Sequence, residues 1–130
     1  MTEWVTLAAV LAAHDRQLAE HGGHPGIRDN NLLESALARP QQIEAYGDPA
    51  PDIAALAAAY AFGLAKNHAF FDGKKRISFA VTNAFLILNG YDLIAHDLDT
   101  LKVWLSLSSG GMSEGECAEW LRANIEPSTF

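Results

Sequence analysis

The sequence predicts a single-domain, all-α fold in which six helices form a bundle. Apolar residues recur at three- and four-residue steps along most of the chain, which is the period of an α-helix. No stretch shows the sustained alternation of apolar and polar residues that predicts a β-strand. The chain has 130 residues, of which 49% are hydrophobic, so residues 1–130 suit one domain with one core.

The first predicted helix carries an apolar stripe and ends at Gly22-Gly23. His14 lies on this stripe, and we interpret it as a hydrogen-bonded histidine of the core. A metal site formed by His14 with His21 and His24 is disfavoured, because their spacing crosses the end of the helix and matches no standard ligand pattern. The stripe consists of Trp4, Leu7, Leu11, His14 and Leu18.

The second predicted helix begins at Asn31, which has the spacing of a capping box with Glu34. We expect it to end near Ala38, because Pro40 disfavours helical backbone angles in the residue before it. The next eleven residues, 41–51, contain glycine and two prolines and predict a connection.

Four further helices complete the predicted bundle. Their predicted limits are Asp52 to His68 for the third, Lys74 to Gly90 for the fourth and Asp97 to Gly111 for the fifth, with Ser113 and Glu116 as a capping box for the sixth. The third helix is expected to bury one stripe, comprising Ile53, Leu56, Ala57, Tyr60 and Leu64. The fourth is expected to bury Ile77, Ala80, Val81, Ala84, Phe85 and Leu88, and the sixth Cys117, Trp120 and Leu121.

Composition restricts the class of partner and the compartment. The net charge of −7 repels a phosphate backbone, so nucleic acid is disfavoured as a direct partner. The single cysteine, Cys117, excludes an internal disulfide and favours a reducing cytoplasm. No basic segment precedes the first apolar stretch, and the longest uncharged run, 53–65, is shorter than the ~20 residues that span a bilayer. A cytoplasmic protein without a membrane segment is expected.

The basic residues are unevenly distributed. Four of the nine lysines and arginines fall within eleven residues, at Lys66, Lys74, Lys75 and Arg76. Cations at the start of a helix are unfavourable with its dipole by roughly 0.3–1 kcal/mol each. Three in succession therefore indicate that negative charge is supplied at the start of the fourth helix, either from outside by a compact anion such as a nucleotide phosphate or by Asp72.

The loop before that helix combines residue types that suit phosphate chemistry. Gly73 allows the backbone to approach a ligand closely, just before helical N–H groups that bind anions. Asp72 is a candidate ligand for Mg²⁺, which prefers carboxylate and phosphate oxygens. His68 is a candidate general base, because the pKa of histidine lies near neutral pH. Phe70 is expected to anchor the loop in the core.

The motif in this loop resembles that of the Fic/Doc family. The family pattern is His-x-Phe-x-Asp/Glu-Gly/Ala-Asn, then Gly or Lys and then Arg, in a loop between two central helices. The chain matches it at His68, Phe70, Asp72, Gly73, Lys75 and Arg76. The matching positions belong to a nine-residue stretch, 68–76.

A second segment resembles the Doc branch of the family, the death-on-curing toxins of toxin–antitoxin modules. It comprises 26–29 and 32–41, and His14-Asp15 in the preceding helix fits the same pattern. Within it, Arg28, Asp29 and Arg39 either cap the second helix or touch a protein substrate. The resemblance extends over nearly the whole chain and implies the all-α Fic/Doc fold.

The resemblance implies an ATP-dependent enzyme. Fic proteins transfer AMP to a protein hydroxyl, whereas Doc toxins transfer the γ-phosphate of ATP to a threonine of elongation factor Tu and inhibit translation. Lys75 and Arg76 at the end of the motif, together with the short chain, favour the Doc reaction here. In that reaction His68 would deprotonate the acceptor hydroxyl, Asp72 would hold Mg²⁺, Gly73–Lys75 would cradle phosphate, and Arg76 would stabilise the transferring group.

Two alternatives remain open. One is AMP transfer by the same residues. The other is an inactive family member that acts only as a binding partner, because Lys74 replaces the usual asparagine of the motif. The resemblance also implies a cognate antitoxin, encoded by a neighbouring gene, whose C-terminal helix binds in a groove of the toxin.

Overall fold

A computed structural model describes residues 1–66 and 73–129 and confirms the all-α fold. The described part of the chain contains six helices and one small antiparallel strand pair. None of these helices combines the length and apolar character needed to cross a bilayer. In chain order the elements are α1 (Leu7–His21), α2 (Asn30–Tyr46), α3 (Ile53–Lys66), α4 (Lys74–Leu88), β1 (Tyr91–Leu93), α5 (Asp97–Ser109), α6 (Glu114–Asn124) and β2 (Ile125–Pro127).

Helix α3 lies at the centre of the bundle and packs against α2, α4, α5 and α6. The expectation of a single buried stripe is wrong, because residues from every side of α3 are buried. Alanines occupy many of these positions, and their small side chains let neighbouring helices approach closely. The buried residues are Ala54, Leu56, Ala57, Ala58, Ala59, Tyr60, Ala61, Leu64 and Ala65.

The starts of α3 and α6 lie where the sequence predicts them. Asp52 accepts a hydrogen bond from the Ala55 amide at 2.9 Å, as an N-cap does. Ser113 and Glu116 form both hydrogen bonds of a capping box.

The prediction for α2 is wrong at both ends. Asp29, rather than Asn31, is the N-cap, and its carboxylate accepts from the amides of Asn31 and Leu32 at 2.9 and 3.1 Å. The helix continues through Pro40 as far as Tyr46, so most of the predicted connection is helical. Pro40 is buried, and packing against the rest of the bundle compensates for the backbone hydrogen bond that proline cannot donate.

The strand pair was not predicted. Tyr91 lies opposite Pro127 and Leu93 opposite Ile125 in an antiparallel register. Three residues per strand are too few for alternation to be recognised in a sequence. The β1–β2 pair joins the C-terminal segment to the residues that follow α4. The Ser128 amide also donates a hydrogen bond to the Gly90 carbonyl there, at 2.7 Å.

Helix α4 buries a somewhat different face from the one expected, and α5 leaves part of its apolar surface exposed. In α4, Ile77, Val81 and Phe85 are buried as predicted. Ala80 and Ala84 are only half-buried and Leu88, the last residue of the helix, is exposed, so these three expectations are wrong. The other buried residues of α4 are Ser78, Thr82 and Leu86. In α5, Val103, Trp104 and Leu107 face the core. The other apolar residues of α5 remain on the surface, 62%, 56% and 45% exposed at Leu98, Leu101 and Leu105.

Candidate functional site

The structure describes one part of the predicted site. Gly73 and the three cations that follow it are placed, whereas His68, Phe70 and Asp72 lie outside the described residues. Helix α4 begins at Lys74, as predicted, so 74–76 form its first turn. The functional roles assigned to all these residues remain predictions.

Gly73 occupies the N-cap position of α4. Its φ of +83° lies in the left-handed region, which favours glycine, and it makes no side-chain capping bond. The Ile77 amide donates to the Gly73 carbonyl at 2.9 Å. The three amides before it have no partner within the helix, and this arrangement binds anions.

The first turn of α4 is strongly cationic. It contains Lys74, Lys75 and Arg76 and no acidic residue. Lys74 is half-buried, whereas Lys75 and Arg76 are exposed. Within residues 1–66 and 73–129, no ion pair joins any of the three to a carboxylate. Their charges are therefore not neutralised by the described part of the protein.

Lys66 has a different environment from the other cations of this region. Its ammonium lies 3.3 Å from the position that a Cβ atom would occupy at Gly110, the C-cap of α5. A cation at the C-terminal end of a helix interacts favourably with the dipole. This contact explains Lys66 without a ligand.

A buried hydrogen-bond chain holds the next turn of α4 in place. The Ser78 hydroxyl donates to the Ala61 carbonyl of α3 at 2.7 Å and accepts from the Trp104 indole of α5 at 2.9 Å. Phe79 packs edge-on against Trp104, with 5.2 Å between ring centroids. The cationic turn is thus carried by a part of α4 that is anchored to two other helices. Ser78 did not attract attention in the sequence, because a serine within an apolar helix carries no motif.

Helix α1 contacts the start of α4. His14 is 2% exposed, which agrees with its interpretation as a core histidine, and its ring lies beside Gly73. The Gln17 side-chain amide donates to the Arg76 carbonyl at 3.0 Å. Gln17 was missed by the sequence analysis; its position one turn after His14, on the same face of the helix, is the signal that could have identified it.

Of Arg28, Asp29 and Arg39, the three residues singled out in the Doc-like segment, two have structural roles. Asp29 caps α2, and Arg39 forms two hydrogen bonds to the Glu114 carboxylate of α6, at 3.0 and 2.8 Å. The bonds to Glu114 raise the pKa of Arg39. Arg28 is exposed. Among the described residues, no group of three His, Cys, Asp or Glu side chains could hold a metal ion.

The cationic first turn of α4 lies in the part of the chain that carries the family motif. The sequence model of the Fic/DOC family matches residues 4–86, more than half of the chain. This chain belongs to the Fic/DOC family. The matched region extends from α1 through most of α4 and includes the cationic turn.

Two curated relatives place the chain near the Doc branch of the Fic/DOC family. Toxin Doc of Mycolicibacterium smegmatis is 40% identical over 95 residues, which cover 73% of this chain and 71% of that protein. Protein kinase doc of Escherichia phage P1 is 30% identical over 114 residues, covering 87% of this chain and 88% of the phage protein. The resemblance to Doc-type members is confirmed, and these relatives support a transferase-type enzyme.

Proposed function

We propose that this Fic/DOC protein is a Doc-like toxin that transfers the γ-phosphate of ATP to a hydroxyl group of a protein and thereby inhibits translation. The expected target is elongation factor Tu. The observation that carries the proposal is the first turn of α4, where three cations follow a glycine in the left-handed conformation. The name of the phage relative, a protein kinase, favours phosphoryl transfer over other reactions of the family.

The described residues suit the binding of a polyphosphate. The amides of residues 74–76, which have no partner within α4, can donate hydrogen bonds to phosphate oxygens, and the helix dipole favours negative charge there. Lys75 and Arg76, both exposed, have no competing carboxylate among the described residues. Lys74, in place of the usual asparagine, would contribute a charge to the same phosphate.

The remaining roles belong to residues outside the described ranges. His68 would take the proton of the acceptor hydroxyl, which makes that oxygen the nucleophile. Asp72 would hold Mg²⁺, which neutralises phosphate charge when bound. Arg76 would stabilise the negative charge on the γ-phosphoryl group as the bond to the β-phosphate breaks and the bond to the acceptor oxygen forms.

A transfer assay with elongation factor Tu, Mg²⁺ and ATP labelled at the γ- or α-phosphate tests the proposal. We expect γ-label on the target, its loss in His68→Ala, and about a 100-fold lower kcat/KM in Arg76→Ala. Lys102→Gln removes an exposed cation on α5 and should leave the rate unchanged. Full transfer by His68→Ala would contradict the assigned mechanism.

The same assay separates the two alternatives. Label from the α-phosphate would identify AMP transfer. An unlabelled target with wild-type protein, but transfer by Lys74→Asn, would identify a chain inactivated at that position and acting as a binding partner. Calorimetry with ATP and Mg²⁺ would then show whether the wild type still binds the nucleotide.

A cognate antitoxin is the second expected partner. Doc toxins are held inactive by a helical antitoxin segment, and one relative is named a toxin. Three exposed leucines on α5, Leu98, Leu101 and Leu105, follow the i, i+3, i+7 spacing that presents one helix face. We infer that the apolar side of the antitoxin helix packs on this leucine stripe.

Co-purification with the product of the adjacent gene tests this surface. Leu101→Lys should weaken the complex, because burial of an unpaired charge opposes packing of an apolar helix. The control is Tyr46→Lys, which places the same charge at an exposed aromatic residue at the end of α2. Equal binding by the two variants would place the antitoxin elsewhere on the surface.

A further inference from the structure

The N-terminal segment that includes α1 is hydrogen-bonded to both ends of α4. At one end, Asn89 accepts a hydrogen bond from the Glu3 amide and donates one to the Glu3 carbonyl, each at 2.9 Å. Trp4 stacks on Phe85 nearby, with ring centroids 5.8 Å apart. At the other end, α1 reaches the first turn of α4. Residues before α1 thus hold one end of α4, and α1 itself contacts the other.

Two side chains of α1 make the contact with the first turn. The Nε2 and Cδ2 atoms of His14 lie 3.7 and 3.8 Å from the position that a Cβ atom would take at Gly73. One turn further along α1, the Nε2 atom of Gln17 lies 3.0 Å from the Arg76 carbonyl oxygen. These contacts fall on the first and last residues of the proposed phosphate-binding stretch, 73–76.

The environment of the Gln17 amide does not fit a purely stabilising role. Its Oε1 atom is buried and accepts no hydrogen bond from the described residues. A buried acceptor without a donor costs free energy, and an apolar side chain of the same length would avoid that cost. The Gln17 amide differs from an apolar side chain in that its N–H group donates a hydrogen bond to the Arg76 carbonyl.

We propose that His14 and Gln17 are positioning residues that hold Gly73–Arg76 in the orientation needed for phosphate binding. The inference rests on the proposed function, because it assigns these contacts to the same anion site. His14 limits movement of the backbone at Gly73, and Gln17 limits movement at Arg76. Displacement of a binding group by about 1 Å lowers the rate of a transfer reaction by as much as a hundredfold, so two weak contacts have a large effect.

The test separates positioning from stability in the full-length protein. Gln17→Met removes the N–H donor and the unpaired acceptor while keeping the length of the side chain. We expect its Tm to stay within about 3 °C of the wild type. Its kcat/KM for ATP should fall about tenfold, because the first turn of α4 is less well held. Arg16→Gln, which changes an 82% exposed side chain on the opposite side of α1, should alter neither value.

Backbone amide NMR spectra give a readout that is independent of catalysis. In Gln17→Met, the resonances of Gly73–Ile77 should shift, while those of α5 stay in place. His14→Asn replaces the ring next to Gly73 by a shorter amide and should shift the same resonances. In the double variant, the loss of activity expressed as a free energy should be smaller than the sum of the losses in the two single variants. Unchanged resonances at 73–77 in both folded variants would overturn the inference.

Failure of the proposed function gives a different result. If the wild-type protein neither binds ATP nor transfers phosphate, the kinase assignment fails. The amide shifts of 73–77 then decide the positioning role by themselves: shifts in Gln17→Met support it, and their absence overturns it.

Discussion

At the scale of the residue, backbone conformation separates two glycines that look alike in the sequence. Gly73 has a φ of +83° at the start of α4, where residues other than glycine are strained. Gly63 lies inside α3, and a Cβ atom there would sit 3.6 Å from the Ala36 Cβ, an ordinary contact. Gly73 thus depends on its conformational freedom, whereas at Gly63 the contact between α2 and α3 leaves room for a methyl group.

Alanine substitution at the two glycines should have opposite effects on stability. Gly73→Ala should lower the free energy of unfolding by about 1–2 kcal/mol, because alanine is strained in the left-handed region. Gly63→Ala should raise it by up to about 1 kcal/mol, because alanine is the better helix former and has room. Urea unfolding of both variants measures the difference. A Gly73→Ala protein as stable as the wild type would contradict the strain argument.

At the scale of the element, the ends of the helices depend on side chains that the motif analysis left open. Asp29 was a candidate either for capping or for contact with a protein substrate. Its two hydrogen bonds to the amides of Asn31 and Leu32 give it a capping role. Arg39 is likewise occupied, in a salt bridge that joins α2 to Glu114 at the start of α6.

Substitution of Asp29 should therefore affect stability rather than catalysis. Asp29→Ala should lower the free energy of unfolding by about 1 kcal/mol, the usual cost of losing an N-cap. Asp29→Asn retains the acceptor oxygen and should lie within a few tenths of a kcal/mol of the wild type. Urea unfolding and the transfer assay, run below the unfolding transition, measure the two effects. Loss of transfer in a folded Asp29→Asn protein would instead indicate contact with the substrate.

At the scale of the whole molecule, contacts between distant parts of the chain close the bundle. Asp52 caps α3 and also accepts two hydrogen bonds from Arg122 at the end of α6, at 2.7 and 3.0 Å. The hydrogen bonds from Arg122, followed by the bond from the Ala55 amide, hold the pKa of Asp52 below its model-peptide value of 3.8. The ionised carboxylate is thus favoured in the folded state.

This lowered pKa predicts a pH dependence of stability. Above pH 3.8 Asp52 is ionised in both states, and its stabilising contribution is fully present. As the pH falls below 3.8, the unfolded chain takes up the proton first, and the contribution is lost on passing the lower folded-state pKa. Asp52→Asn should be about 0.5 kcal/mol less stable than the wild type at pH 7, the usual value of an exposed pair.

Urea unfolding at pH 7 and at pH 2.5 measures this difference. The gap between Asp52→Asn and the wild type should narrow at the lower pH. Glu34→Gln, at an exposed carboxylate that forms no ion pair among the described residues, should show no comparable change. A gap that widens on acidification would contradict the assigned sign.

The single cysteine provides a probe of the whole fold. Cys117 is buried in α6, and burial raises the pKa of its thiol to about 12, with a smaller effect from the charge of Glu114. The thiolate, which is the reactive form, is therefore scarce at pH 8. Reaction of Cys117 with a disulfide reagent should be slow in the native protein. In urea, the reaction rate should rise in proportion to the fraction of unfolded protein. Rapid labelling without urea would show that α6 detaches locally.

Local sequence signals determined several features that the structure confirms. Periodicity predicts the all-α class, and capping residues mark the starts of α3 and α6, because these signals involve residues only three or four positions apart. The start of α4 at Lys74 and its cationic first turn were predicted for the same reason. The family was recognised because the motif at 68–76 combines several specific residues in one short segment.

Tertiary structure decided what local signals could not. Pro40 remains inside α2 because packing outweighs the preference of proline for a helix end. The β1–β2 pair depends on residues more than thirty positions apart, and the exposure of Leu98, Leu101 and Leu105 depends on which face of α5 meets the core. The contact of His14 and Gln17 with the start of α4 is of the same kind. Sequence alone determined the cationic stretch that we propose to bind phosphate. Only the packing of α1 against α4 determined which other residues touch that stretch, because this contact joins residues about sixty positions apart.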